Sequence, residues 1–255
     1  MKLKNILWAG LSALALVSCD DYLEVEAPSS STDEFVYSYK SEINRALNGV
    51  YAKAIVGDLY GNAYQRTFVY NSDVDMQIDA NNAASSDGNA YARFDCNRRG
   101  GEILKYWTAA YRLIEYANRF IAGVESSEFY KVQDADVMQQ LGEAKCLRAM
   151  AYHDLVVMFG DVPFKFAPTA GNSSDELPPV MSRSAVQDSI IKDLQEIAPY
   201  MVSSKTSTVE RCSREFAHAL IARVALTAGG YSLHPVKDNE RSYGEMKRPD
   251  NYKDY

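Results

Sequence analysis

The chain has 255 residues, 47% of them hydrophobic, enough to bury a core in one large domain or two small ones and too many for an intrinsically disordered protein. With 27 basic against 34 acidic residues the formal net charge is −7, and no Lys/Arg cluster supplies the basic face that phosphate binding needs, so nucleic acid is excluded as a partner. Lys2 and Lys4 open the chain and are followed by a nearly continuous apolar run from Ile6 to Val17. That run is far shorter than the ~20 residues of a membrane-spanning helix, so residues 1–18 read as an export signal, and nothing later is long and apolar enough to span. Without those residues the balance is 25 basic to 34 acidic, about −9.

The signal closes on Leu16-Val17-Ser18-Cys19, which resembles the lipobox of bacterial lipoproteins. The resemblance assigns lipidation to Cys19, which becomes the first residue of the mature chain, and several acyl chains make such an anchor durable. Asp20, Asp21 and Glu24 follow at once and resemble the acidic signal that sends such lipoproteins to the cell exterior; a solvated acidic linker fits the same residues. Residues 19–34, with Pro28 and the polar run Ser29 to Thr32, read as a tether, and the folded part is expected over 35–255.

From there the pattern is helical. Val36, Tyr39, Ile43, Leu47, Val50 and Ala54 recur at three-four spacing, and Gly57 ends the stripe. Residues 57–98 break the periodicity: Gly, Asn, Ser and Asp are interleaved with Tyr60, Tyr64, Phe68, Tyr70, Tyr91 and Phe94, which reads as a long aromatic-rich loop. The Gly100-Gly101 pair lacks the further glycines of a phosphate loop and reads as the turn that opens the next helix. Its stripe is Leu104, Trp107, Tyr111, Ile114, Ala117, Ile121 and Val124. Asp134 is placed to cap a third helix striped by Val137, Leu141, Ala144, Leu147, Ala151, Leu155 and Met158, which Gly160 and Pro163 stop. After a Pro/Gly/Ser loop to Pro179, Ser184 with Gln187 resembles a capping box for a helix through Val186, Ile190, Leu194 and Ile197 to Pro199. Ser213 caps a fifth, with Phe216, Leu220, Val224 and Ala228 ending at Gly229-Gly230. No strands are expected. The fold class is all-α, and helical hairpins stacked as in tetratricopeptide repeats fit the helix lengths, although no 34-residue self-similarity is visible.

The segment Leu141–Pro163, with Glu143-Ala144, Leu147-Arg148-Ala149, Tyr152 and Gly160-Asp161-Val162-Pro163, resembles the most characteristic stretch of the SusD/RagB family. Trp107 to Asn118 and Arg214 to Tyr231 resemble two further family helices, in the same order. The resemblance implies a cell-surface, outer-membrane lipoprotein that forms a lid over a SusC-like TonB-dependent transporter and hands it oligosaccharide; peptide is the alternative ligand within the family. Family members are roughly twice as long, so the chain reads as an N-terminal portion whose C-terminal half is missing. A helical-repeat scaffold without small ligand is a further alternative.

Sugars are held by aromatic rings stacked on pyranose faces and by Asp, Asn and Arg hydrogen-bonding the hydroxyls. The 57–98 loop supplies both. Asp73 and Asp75 lie where the family has an acidic motif and share a face if extended; Asn81, Asn82, Tyr91, Arg93 and Phe94 follow. Any of these rings could instead pack the loop onto the helices. Trp107 sits on an apolar stripe and is read as core. Asp73 with Asp75, or either with Glu102, could be imagined as a glycosidase pair, but such pairs arise by chance among 34 acidic residues, and no enzyme is expected. His153, His218 and His234 share no metal or triad spacing, so neither metal nor cofactor is expected; the first two are read as packed or hydrogen-bonded in helices. Cys96, Cys146 and Cys212 remain after Cys19; one disulfide plus one buried thiol is open, and Cys146, inside a helix, reads as a buried thiol.

Overall fold

A computed structural model describes residues 32–62, 101–170, 178–206, 210–237 and 240–255. Two helices precede the first gap: α1, Asp33–Tyr37, and α2, Lys40–Ala54. Then come α3, Gly101–Ser126, a single turn α4, Glu128–Lys131, and α5, Ala135–Phe159. Two-residue strands β1, Val162–Pro163, and β2, Val180–Met181, bracket a loop, and α6, Arg183–Ile197, and α7, Arg214–Ala228, complete the helices. A hairpin of β3, Ser232–Lys237, and β4, Glu240–Lys247, ends the set.

The helices pack successively, α2 on α3, α3 on α5, α5 on α6 and α6 on α7, which is the expected array of hairpins. Helix α5 is its axis and touches α2, α3, α6 and α7. Its ends follow the sequence: the Asp134 side chain accepts from the Val137 N–H, and Gly160 exits at φ 76°, a conformation that glycine tolerates best. Between them, buried positions run round the whole helix, including Glu143, Lys145, Arg148, His153 and Asp154. A helix enclosed on every side cannot leave its charges to water, so each charge must find a protein partner. Truncating a core leucine here, Leu141 or Leu155, would cost about 2–5 kcal/mol.

Several elements depart from the sequence reading. The first helix breaks at Ser38-Tyr39, so α1 begins at Asp33, two residues before the expected boundary, and Tyr39 of the predicted stripe is exposed. On α3, Leu104 is 63% exposed while Tyr106, Ala109, Ala110 and Leu113 are buried; at this end the buried face is displaced by one residue, about 100° of rotation, from the predicted one and meets it at Ile114. On α7 the buried stripe starts at Ala217, and Phe216 lies outside it. The cap of α6 is Ser182, whose hydroxyl accepts from the Ala185 N–H, with Asp161 accepting from the Arg183 N–H, so Ser184 is already inside the helix. The strands were not expected at all. The β3–β4 hairpin carries no apolar alternation because Leu233 and Met246 are exposed, and Pro235, which has no N–H to donate, falls where its register shifts.

Candidate functional site

The residues singled out for ligand contact, Asp73, Asp75, Asn81, Asn82, Tyr91, Arg93 and Phe94, lie outside the described residues, as do Cys19, Cys96 and the side chain of Glu102. Their anchorage is described. On the N-terminal side, Leu59 is fully buried, and the Tyr60 hydroxyl donates to Asp154 Oδ2 on α5 at 2.8 Å. The turn that carries them closes with Tyr60 N–H on Ala54 O and Gly61 N–H on Val56 O; any Cβ at Gly61 would collide with the carbonyl of Ile55. On the C-terminal side, Trp107 is half-buried as expected of a core-packed ring, set edge-on to Phe159 at 4.8 Å and tilted on Tyr111 at 4.9 Å. A recess of about 380 Å³ lies between these two stems, lined by Lys53, Val56, Asp58, Leu104, Thr108 and Arg112 among others. The Lys53 ammonium sits 4.6 Å from the centre of the Tyr116 ring.

A larger cleft, about 830 Å³, opens towards the C-terminal end of α3. Tyr37 and Phe129 give it aromatic walls, Asp33 and Glu34 carboxylates, and Ser126 and Thr169 hydroxyls. Glu115 organises one edge: it accepts from Arg119 Nε at 2.7 Å and from both the backbone N–H and the hydroxyl of Thr169, at 3.1 and 2.9 Å. Tyr37 reaches over α3 to donate to the Arg119 carbonyl at 3.4 Å, and its ring lies so close to Gly123 that no side chain fits there. Burial, with Asp33 nearby, pushes the Tyr37 hydroxyl up to about 12, so it remains a neutral donor. Aromatic faces beside carboxylates and hydroxyls can stack on and hydrogen-bond a polyol. The sequence reading missed this cleft because its walls come from stretches as distant as Asp33 and Thr169.

Both features rest on a buried polar network. Arg148, 2% exposed, bonds Asp193 Oδ2 at 2.7 Å and Asn118 Oδ1 at 2.8 Å, and its guanidinium lies 3.8 Å from the centre of the Phe166 ring. Lys145 reaches the other Asp193 oxygen at 2.7 Å. Asn118 donates onward to the carbonyls of Lys165 and Ala167, Tyr152 exchanges bonds with both backbone groups of Lys165, and Tyr111 donates to the Pro163 carbonyl at 2.7 Å. The stretch after Gly160 is thereby held along α3 and α5 by side chains, and it delivers Thr169 to the cleft. Asn118, Arg148 and Tyr152 belong to the motifs quoted above, so the network was legible as motif positions and not as contacts.

The histidines are dispersed. His153 is buried in α5, and burial, with Arg223 and Arg183 nearby, lowers it to about 4; His218 is exposed on α7, contrary to the packed reading; His234, on β3, contacts the Ser232 hydroxyl at 3.1 Å. Among the described residues no group of His, Cys, Asp or Glu is arranged to hold a metal ion, and no helix is long and apolar enough to cross a membrane.

Comparison with known proteins gives a consistent result. The SusD-like family described as starch-binding and associating with the outer membrane matches residues 21–226. SusD-like protein P2 of Formosa agariphila is 27% identical over 246 residues, which cover 93% of this chain and 46% of that protein. Among solved structures, a SusD homologue from Bacteroides thetaiotaomicron shares the fold at a TM-score of 0.67 and 22% identity, over 82% of this chain and 40% of the other. A laminarin-binding SusD-like protein does so at 0.56 and 22%, over 76% and 41%. The chain thus spans less than half the length of these relatives.

Proposed function

We propose, because this chain belongs to the SusD-like family, that it captures glycan at the cell surface and passes it to a SusC-like TonB-dependent transporter without altering it. The observation that carries the reading is the family match from residue 21 to residue 226, which spans the first two motif segments and most of the third. In this reading residues 1–18 are the export signal, Cys19 carries the lipid, the residues from there up to α1 tether the helical domain to the outer membrane, and Asp73, Asp75, Asn81, Tyr91, Arg93 and Phe94 contribute to the ligand face. Two observations support it. The loop that holds these residues springs from stems locked onto α5 and α3, a rigid base of the kind on which binding loops are usually mounted. Separately, Tyr37 and Phe129 with their carboxylate and hydroxyl neighbours form a cleft whose chemistry suits a polyol. A relative of the same fold is named for laminarin binding, so a β-glucan belongs in the first panel of ligands.

The test is affinity electrophoresis and calorimetry of the chain from residue 20 onward, beside a full-length relative, against polysaccharides, oligosaccharides and peptides. Glycan retention without product release, weakened at least tenfold by Tyr91→Ala or Asp73→Ala, is the expected result. Retention of peptides alone would replace glycan by peptide as cargo, and retention of nothing by either protein would leave a helical scaffold with the transporter as its partner.

A further inference from the structure

We infer that Cys146 and Cys212 form a disulfide that clips the segment ahead of α7 to the central helix; the inference rests on the proposed export for the compartment in which the bond forms. Both cysteines are buried and free, and the neighbouring Cys212 thiol is the first cause, ahead of burial, that raises Cys146 well above the usual thiol range. The backbone explains why they meet. Cys212 accepts at its carbonyl from Gln139 Nε2 at 2.9 Å and donates its N–H to the Tyr51 hydroxyl at 3.2 Å, and Tyr51 in turn donates to Glu143 Oε2 at 2.7 Å. The preceding residue, Arg211, pairs with the same Glu143 oxygen at 2.7 Å. Gln139, Glu143 and Cys146 follow at four- and three-residue spacing on α5 and therefore form one stripe of that helix. Cys212 is thus held at both its backbone groups against the stripe that presents Cys146.

Oxidation runs by thiol–disulfide exchange. The thiolate of one cysteine attacks the disulfide of an oxidant, a thiol oxidase or oxidised glutathione, forming a mixed disulfide and releasing one thiol. The other cysteine then loses its proton and displaces the second, so that two thiols are oxidised, one disulfide is reduced, and two RSH leave. Once Cys212 is seated against α5, Cys146 has no exposed surface and the bond is closed to further exchange.

The experiment has two arms, both on the full chain. In one, the exported protein is quenched in acid, alkylated and digested; in the other, purified protein is reduced, unfolded and refolded in a mixture of oxidised and reduced glutathione. We expect a linked peptide pair containing Cys146 and Cys212, two hydrogens lighter than the separate peptides, and a melting temperature about 5–10 °C above that of the reduced protein. Cys212→Ser, a near-isosteric change, should abolish both the linked pair and the difference in melting. Refolding that leaves both thiols alkylatable, or that joins either of them to Cys96, overturns the inference. Formation of the pair in glutathione but not in the cell keeps the pairing and rejects the export reading.

Discussion

Replacing Asp193 by alanine removes the carboxylate that Lys145 and Arg148 of α5 share. Arg148 is left with Asn118 and the Phe166 ring, and Lys145 with Glu125 at 3.8 Å, a distance at the edge of ion pairing. Removing one partner of a buried pair costs about 3–5 kcal/mol, since the stranded charge stays desolvated. Asp193 and Arg148 side chains are 10% and 2% exposed, so little of this is screened away; the residual partners place the loss near the lower end, about 3 kcal/mol. For a domain of this size that is a fall in melting temperature of roughly 6–12 °C, and with an m-value of about 2–3 kcal/mol/M the urea midpoint drops by about 1–1.5 M, read by circular dichroism at the helical band. The companion variant Lys145→Met/Arg148→Met/Asp193→Leu removes all three charges and should recover more than half of the loss, because it is the unpaired charge and not the missing bridge that hurts. A loss below about 1 kcal/mol for Asp193→Ala, the scale of an exposed pair, would refute the claim that the network is desolvated.

Gly123→Ala should displace the Tyr37 ring, detach α1 and open the large cleft, at about 1–3 kcal/mol, with limited proteolysis shifting to residues 33–38 as the readout. Gly142→Ala meets only the flexible tip of Met201 and should cost less than Gly123→Ala in the same urea titration. Two adjacent groups oppose each other in pH. His153, lowered to about 4, takes up its proton in the unfolded chain first, so its contribution is lost as pH falls from 6.5 towards 4; Asp154, raised to about 6 chiefly by burial, is favoured protonated, so its contribution is lost as pH rises from 4 through 6. Wild-type stability should therefore be nearly flat between pH 4 and 6.5, while Asp154→Asn should unmask an acid loss of up to about 3 kcal/mol in urea titrations across that window. A flat profile in the variant would show that His153 is not held neutral by the fold.

The helices were legible because four-residue periodicity and caps are local: Asp134 and Ser213 cap where their side chains predict, and Gly160 ends α5. Where neighbours decide, legibility failed. Leu104 and Phe216 fit their stripes by spacing, yet no helix among the described residues covers them, whereas Tyr106 and Ala217 are buried by partners remote in sequence. The hairpin from Ser232 to Lys247 was invisible because its sequence carries no sustained alternation of polarity, and Leu233 and Met246 lie exposed. The charged residues of α5 carry the same lesson. Lys145, Arg148, His153 and Asp154 would mark a solvated face on an isolated helix, and only the enclosure of α5 by four others makes them interior.

The stretch from Phe164 to Thr169 has no regular structure, yet three of its amides are occupied: Phe164 bonds the Pro179 carbonyl, Lys165 the Tyr152 hydroxyl, and Thr169 the Glu115 carboxylate. In hydrogen–deuterium exchange these three should behave like helical amides, opening only when α3 and α5 part, so the slowly exchanging unit of the protein extends beyond its helices. Two side chains set that behaviour from outside the loop. Tyr152→Phe should quicken Lys165 and Glu115→Gln should quicken Thr169, each leaving the helical amides as they were.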